Sequence, residues 1–258
     1  MLHSLWLLVL LVVLQGCVNP YTRFYTPADL VTSTQFVPST GEPKVIRGGN
    51  READDLAMME SGHRLLGYSS FNSGSVAEDG AVDQAKTLGA AVVVVYSRFT
   101  HSVSGSMPLT LPSTENSTTT VSGMAGGRPV YGTATTTTYG TTTTHIPYTV
   151  NRSDYIATYW GKLPPPVFGA FVREPKPEER RQIGSNTGLL ITVVVKGSPA
   201  FSADLFRGDV IKSIAGTPIR DLQDFSSTLS RSAGQAVDLT ILREGKEFQK
   251  TVHLNRRP

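Results

Sequence analysis

The residues with chemical potential are sparse and badly spaced for catalysis. Ser73 lies in Phe71-Asn72-Ser73-Gly74-Ser75, with His63 ten residues upstream. A serine nucleophile needs a base within reach and an acid to orient that base. Ten residues leave no room for the strands that carry those groups in a double-barrel hydrolase, so Ser73 is read as non-catalytic. Asp54-Asp55 with Glu60 offers paired carboxylates, but a solvated helix face explains them as well. His3, His63, His101, His145 and His253 show no metal-ligand spacing, and one cysteine builds neither a zinc cluster nor a disulfide framework. No phosphate loop or dinucleotide fingerprint occurs. The chain is expected to be non-enzymatic, with no cofactor, no metal and, at a net charge of +3, no nucleic-acid partner.

That one cysteine has a different use. Residues 5–14 are a ten-residue apolar run, half of what a spanning helix needs and the length of a signal-peptide core. The run ends in Leu14-Gln15-Gly16-Cys17, which resembles the bacterial lipobox. The resemblance implies a signal peptide over 1–16, acylation at Cys17 with palmitate among its chains, and attachment of the mature chain by lipid. Val18 in place of aspartate implies the outer membrane, facing the periplasm or the cell surface. A cleaved signal peptide or short anchor with an incidental cysteine is the alternative.

The rest of the chain divides by composition. Residues 17–40 hold three prolines and no sustained period, which predicts a tether with at most one short helix near Pro27-Ala28-Asp29-Leu30. Residues 41–160 predict a small α+β domain. Its elements are a strand at 44–47, a helix at 51–61 capped by Asn50, a strand at 64–71, a helix at 78–88, and a strand at 90–96 buried on both faces. Within it, residues 100–150 carry sixteen Thr, six Ser and two charges, Glu115 and Arg128, which accounts for the low charged fraction of 17%. Thr favours strands, so this stretch is either a long two-stranded arm turning at Tyr139-Gly140 or a disordered polar loop. A returning core strand is predicted at 155–160. Pro164-Pro165-Pro166 makes 161–166 a stiff linker. Net charge shifts from −2 over 17–160 to +5 over 161–258, so the last module is the basic one.

That module, 167–258, contains Gly197-Ser198-Pro199-Ala200, then Leu205 to Ile211 with Gly208-Asp209, a turn at Gly216, a helix over 221–230, and a closing hairpin through Arg243-Glu244-Gly245. The succession resembles the PDZ domains attached to HtrA-like proteases. Within this α+β chain the resemblance implies a partly open β-sandwich with two helices. It also implies a groove where the C-terminus of a partner adds a strand to a sheet edge, its carboxylate received by backbone N–H groups. The edge would be Phe168, Gly169, Ala170, Phe171 and Val172, and the facing helix would present Leu222, Ser226 and Leu229, with Phe225 in the core. Pro175 and Pro177 limit the edge to about four pairing residues. A lipid-anchored envelope adaptor that binds protein or peptide C-termini follows. A structural lipoprotein is the alternative, its PDZ docked internally and its Thr-rich arm making the contacts.

Overall fold

The computed structural model describes residues 18–28 and 36–257. Cys17, the signal segment, Asp29 and Leu30 lie outside the described residues. Two compact units emerge, one comprising Val76–Arg98 and Asp154–Pro258 with the N-terminal stretch to Phe71, the other Asn72–Ser75 with Phe99–Ser153. The chain is mixed α+β and strand-rich, with sheets that do not close into barrels.

The first unit holds two sheets. One has five strands: β1 (Tyr25–Pro27), β2 (Lys44–Arg47), β3 (His63–Ser73), β4 (Val92–Ala125) and β5 (Arg128–Lys162), in the order β1-β3-β5-β4-β2. The β-branched run at the start of β4 is buried on both faces. Val93 and Val95 pack with Tyr21, Leu66 and Tyr159, while Val92 and Val94 pack with Met58 and Trp160. Helix α1 is Pro20–Arg23 and α2 is Arg51–Glu60, started by Asn50 accepting the Ala53 N–H at 3.2 Å. Helix α3 (Asp79–Thr87) buries Ala81 and Ala85 in the first of these clusters.

Residues 18–28 correct the expected tether. Asn19 caps α1, Tyr21 is 2% exposed in the core, and β1 pairs antiparallel with β3. The aromatic residues that interrupt any periodicity there, Tyr21, Phe24 and Tyr25, are what draws the segment in: Tyr21 meets Phe71 edge-on, and the Tyr25 hydroxyl donates to the Leu66 carbonyl.

The second sheet runs β11-β10-β8-β7-β6, with β9 (Thr217–Pro218) beside β8. Its strands are β6 (Ala170–Arg173), β7 (Leu189–Val194), β8 (Val210–Ile214), β10 (Ala236–Arg243) and β11 (Lys246–His253). Helices α4 (Pro177–Ile183), α5 (Pro199–Ser202) and α6 (Leu222–Arg231) accompany it. Alternating Leu189, Ile191, Ile211, Ile214, Leu239 and Ile241 form its core. Helix α4 was not expected from the sequence. The Lys176 N–H donates to Glu179 and Gly184 ends the helix at φ +68°.

The second unit is a two-stranded ribbon made from the middle of β4 and β5. It turns at Gly126-Gly127, not at Tyr139-Gly140 as expected. Both turn glycines have positive φ, +60° and +79°, the geometry of a two-residue primed turn. The near symmetry of the Thr run about Tyr139 misled because repetition is not turn chemistry; Tyr139 and Gly140 sit inside β5.

Candidate peptide-binding site

Strand β6 is the terminal strand of its sheet, so one edge has no partner among the described residues. It is four residues long, in keeping with the brake expected from Pro175 and Pro177. On its inner edge Ala170 faces Val194, and Val195 donates its N–H to the Gly169 carbonyl at 2.8 Å. Gly169 and Val195 therefore face each other across a ladder hydrogen bond. The alternation of an antiparallel pair then turns the N–H and C=O of Ala170 toward the open edge.

The loop before β6 shows a second asymmetry. The Phe168 carbonyl accepts from the Ala200 N–H at 2.8 Å, and the Gly169 carbonyl also accepts from Ser198 Oγ at 3.2 Å. Among the described residues the N–H groups of Phe168 and Gly169 donate to nothing. Both carbonyls are tied back into the domain while both amides, on two buried residues, donate to no described group, a pair of donors suited to an anion. Gly169 is required twice over: its φ is +87°, and a Cβ there would overlap the Ser198 side chain.

The structure places the sequence-expected residues as follows. Phe168 is 3% exposed and meets Phe225 edge-on in the core, so its side chain is no part of the edge. Ala170 and Val172 are half-buried on the core side, as is Leu229 of α6. Leu222 and Ser226 are exposed on α6, one turn apart, with Ser226 Oγ donating to the Leu222 carbonyl. Phe225 and Thr228 occupy the buried face. Phe171 points away from this group. With Thr192 and Val193 of β7 and with α2, it lines a cleft of about 970 Å³.

Three features escaped the sequence reading. Ser198 both caps α5 and tethers Gly169; its place in Gly-Ser-Pro-Ala was legible, its reach to Gly169 was not. Lys162 lines a cavity of about 330 Å³ together with Pro166, Gly169 and Ala170. Asp209, 1% exposed, takes a bidentate bond from Arg243 at 2.7 and 2.8 Å and also accepts the Phe206 N–H. The Arg243 guanidinium stacks over Phe206, 4.5 Å from its ring centroid. This network fixes the loop between β7 and β8.

The residues weighed for catalysis do not assemble into a triad. His63 Nδ1 is 2.9 Å from Ser61 Oγ, and that hydroxyl already donates to the Met58 carbonyl. His63 is therefore the donor to Ser61, the opposite of what a general base would do. Burial first, then the Lys162 charge, holds the His63 pKa below its ordinary value. Ser73 closes β3.

Residues 166–254 match the PDZ domain family. This segment is a PDZ domain. Similar solved structures include the HtrA-type protease AlgW with a decapeptide, at 26% identity and a TM-score of 0.33, covering 35% of this chain and 29% of that one. Another is the HtrA3 PDZ domain bound to the phage-derived ligand FGRWV, at 19% identity and a TM-score of 0.31, covering 34% of this chain and 83% of that one. The chain thus spans under a third of the AlgW chain's length. No curated protein matches the chain. The matching family is a binding domain and not a catalytic one.

Proposed function

We propose that this protein is a non-catalytic adaptor of the bacterial envelope, whose PDZ domain receives the C-terminal residues of partner proteins as an added β-strand. The observation that carries the reading is the pairing of a free edge at β6 with the two undonated amides of Phe168 and Gly169 at the head of that edge. An incoming chain would exchange main-chain hydrogen bonds with Ala170 and rest side chains between Val172 and the Leu222, Ser226 and Leu229 face of α6. Its carboxylate would meet the loop amides. The apolar wall favours a hydrophobic last residue. Lipid attachment at Cys17 and outer-membrane residence belong to the same reading and rest on the lipobox resemblance alone.

Display of random C-termini against the full chain tests this, with Ser226→Trp as the decisive variant. Ser226 is exposed, so the indole fills the groove without disturbing the core. Selection of peptides with a common apolar terminus, lost in Ser226→Trp at unchanged thermal stability, is the expected result. Selection unaffected by that substitution defeats the groove.

A second reading also has an observation behind it. The outer face of β7 buries Val193 and Val195, and beyond it the Lys196 N–H donates to the Glu60 carbonyl while its ammonium pairs with the Glu60 carboxylate at 3.2 Å. The PDZ domain is thus docked on α2 through a face that leaves the β6 edge open. Internal docking and peptide capture are compatible, and the same display experiment separates a purely structural role from a receiving one.

A further inference from the structure

The ribbon sorts its side chains by a strict period of two. Ser102 bonds Asn151, Ser104 bonds Thr149 and Thr110 bonds Thr143 at 2.8–3.0 Å, all in the single register that closes at Gly126-Gly127. These hydroxyl and amide pairs form one face. In the same register the other face carries Val103, Met107, Leu109 and Leu111 from β4 and Ile146 and Val150 from β5, every one exposed, Met107 by 58% and Leu111 by 52%. Tyr148 lies across Gly105, where a Cβ would meet its ring at 2.7 Å. Gly74 lies against Val150 at one end, and the contiguous exposure of the rest far exceeds scattered surface hydrophobics.

The apolar stretch has sharp ends. On that face it runs over 103–111 in β4, nine residues, and is faced by Ile146, Tyr148 and Val150 of β5, with Thr144 and Thr142 opposite Leu109 and Leu111. His101 and Arg152 stand at one end and Glu115 beyond the other, with no acidic or basic side chain between other than the Tyr148 phenol; His145 falls on the hydroxyl face. Nine residues at about 3.3 Å each reach roughly 30 Å, and tilted by about 40° they span roughly 23 Å. A membrane-crossing strand needs about 9–11 residues and presents an apolar band about 25 Å tall. Residues 113–119, farther out, carry Ser, Thr, Asn and Glu and no large apolar side chain, so the pattern is not a uniformly greasy ribbon.

From this match we infer that the ribbon crosses a lipid bilayer, with its apolar face against the hydrocarbon and its hydroxyl face lining a polar lumen. Hydrocarbon tolerates no open sheet edge, so ribbons from several copies of this chain must pair side by side into a closed wall. Pro108, Pro112 and Pro147 occupy positions whose N–H would point outward from the ribbon, so each interrupts the ladder between neighbouring ribbons by one bond. The inference stands apart from the peptide groove, using none of its residues. No helix among the described residues is long and apolar enough to cross a membrane.

The test labels intact envelope membranes of cells expressing the full chain with a carbene reagent confined to the bilayer core, then maps adducts by mass spectrometry. Adducts should alternate along β4, on the order of tenfold higher at Met107, Leu109 and Leu111 than at Ser106 and Thr110. Met107→Arg, at mid-band, should lower adduct yield across the whole band by roughly 30-fold or more, while Thr110→Arg on the lumen face leaves it unchanged. Amide crosslinking should capture multimers in membranes that Met107→Arg abolishes. Adducts absent from the band, adducts equal on the two faces, or multimers that form equally without a membrane would each overturn the inference. The last result would mean that copies pack their apolar faces on one another in water.

Discussion

Converting the C-terminal carboxylate of a bound peptide to its carboxamide removes the charge and replaces one acceptor oxygen by an NH₂ donor, leaving the side chains untouched. The Phe168 and Gly169 amides donate to no described group, and the carbonyls of the same residues are held by Ala200, Val195 and Ser198. Those bonds hold the loop backbone in place before any ligand arrives, so little ordering cost is expected. A hydrogen bond to a charged acceptor contributes about 1.5–3 kcal/mol against about 0.5–1.5 for a neutral one, a difference of about 1 kcal/mol per donor. Two donors give about 2 kcal/mol, or about 30-fold in Kd. The assay is fluorescence anisotropy with one display-selected pentapeptide as free acid and as carboxamide, at fixed ionic strength. Affinities equal within experimental error would refute the amide cradle, and with it C-terminal recognition.

Four further outcomes follow from the geometry. Because β6 has four residues and Pro175 comes soon after, peptides longer than about six residues should bind no more tightly than pentapeptides, checked by the same titration. Arg243→Met strands a carboxylate that is 1% exposed and should destabilise the domain by about 3–5 kcal/mol; Asp209→Asn in the same chain should recover part of that, measured by urea unfolding. His63 is half-buried with its pKa depressed below its ordinary value, first by desolvation and then by the Lys162 charge, so its native site favours the neutral ring. Its contribution is present above 6.5 and lost as pH falls through the folded pKa, and His63→Gln should flatten the thermal stability profile in that acid window. Gly127→Val forces a branched side chain to φ +79° at the ribbon turn and should cost about 1–2 kcal/mol, confined to the ribbon's hydrogen-exchange protection.

The PDZ segment was legible because its marks are local and chemically obligatory. Gly208 sits at φ +97° and Asp209 accepts the Phe206 amide in the turn that the Gly-Asp pair suggested. The buried β-branched run in β4 declared itself by composition. The N-terminal stretch failed for the opposite reason: Tyr21 and Tyr25 join the fold through partners more than forty residues away, Ser69, Leu66 and Tyr159 among them, and no local period reports such contacts. The ribbon turn failed because Thr repetition drew attention from the Gly-Gly pair, which is the stronger hairpin signal. At the site, the open edge could be placed from sequence. The bonds that free the Phe168 and Gly169 amides could not, since they depend on Ser198 and Ala200 folding back across the loop.

The short edge and the docked outer face bear on the same question of how selective the groove can be. A longer strand would offer more main-chain bonds to any extended chain, and such bonds carry no sequence information. With four residues the main-chain share is small, and affinity must come from the terminal carboxylate and one or two apolar side chains against α6. That favours free C-termini over internal loops. Docking through Lys196 and Glu60 meanwhile holds β7 from its far side, so strand addition at β6 can proceed without the sheet sliding to accommodate it. Lys196→Ala should therefore leave equilibrium folding of the domain nearly unchanged, because an exposed ion pair contributes only about 0–1 kcal/mol. Comparing peptide dissociation rates of the parent and Lys196→Ala chains by stopped flow decides the matter: faster release in the variant supports an edge pre-organised by this ion pair, and identical rates show that the Lys196 ammonium contributes nothing to capture.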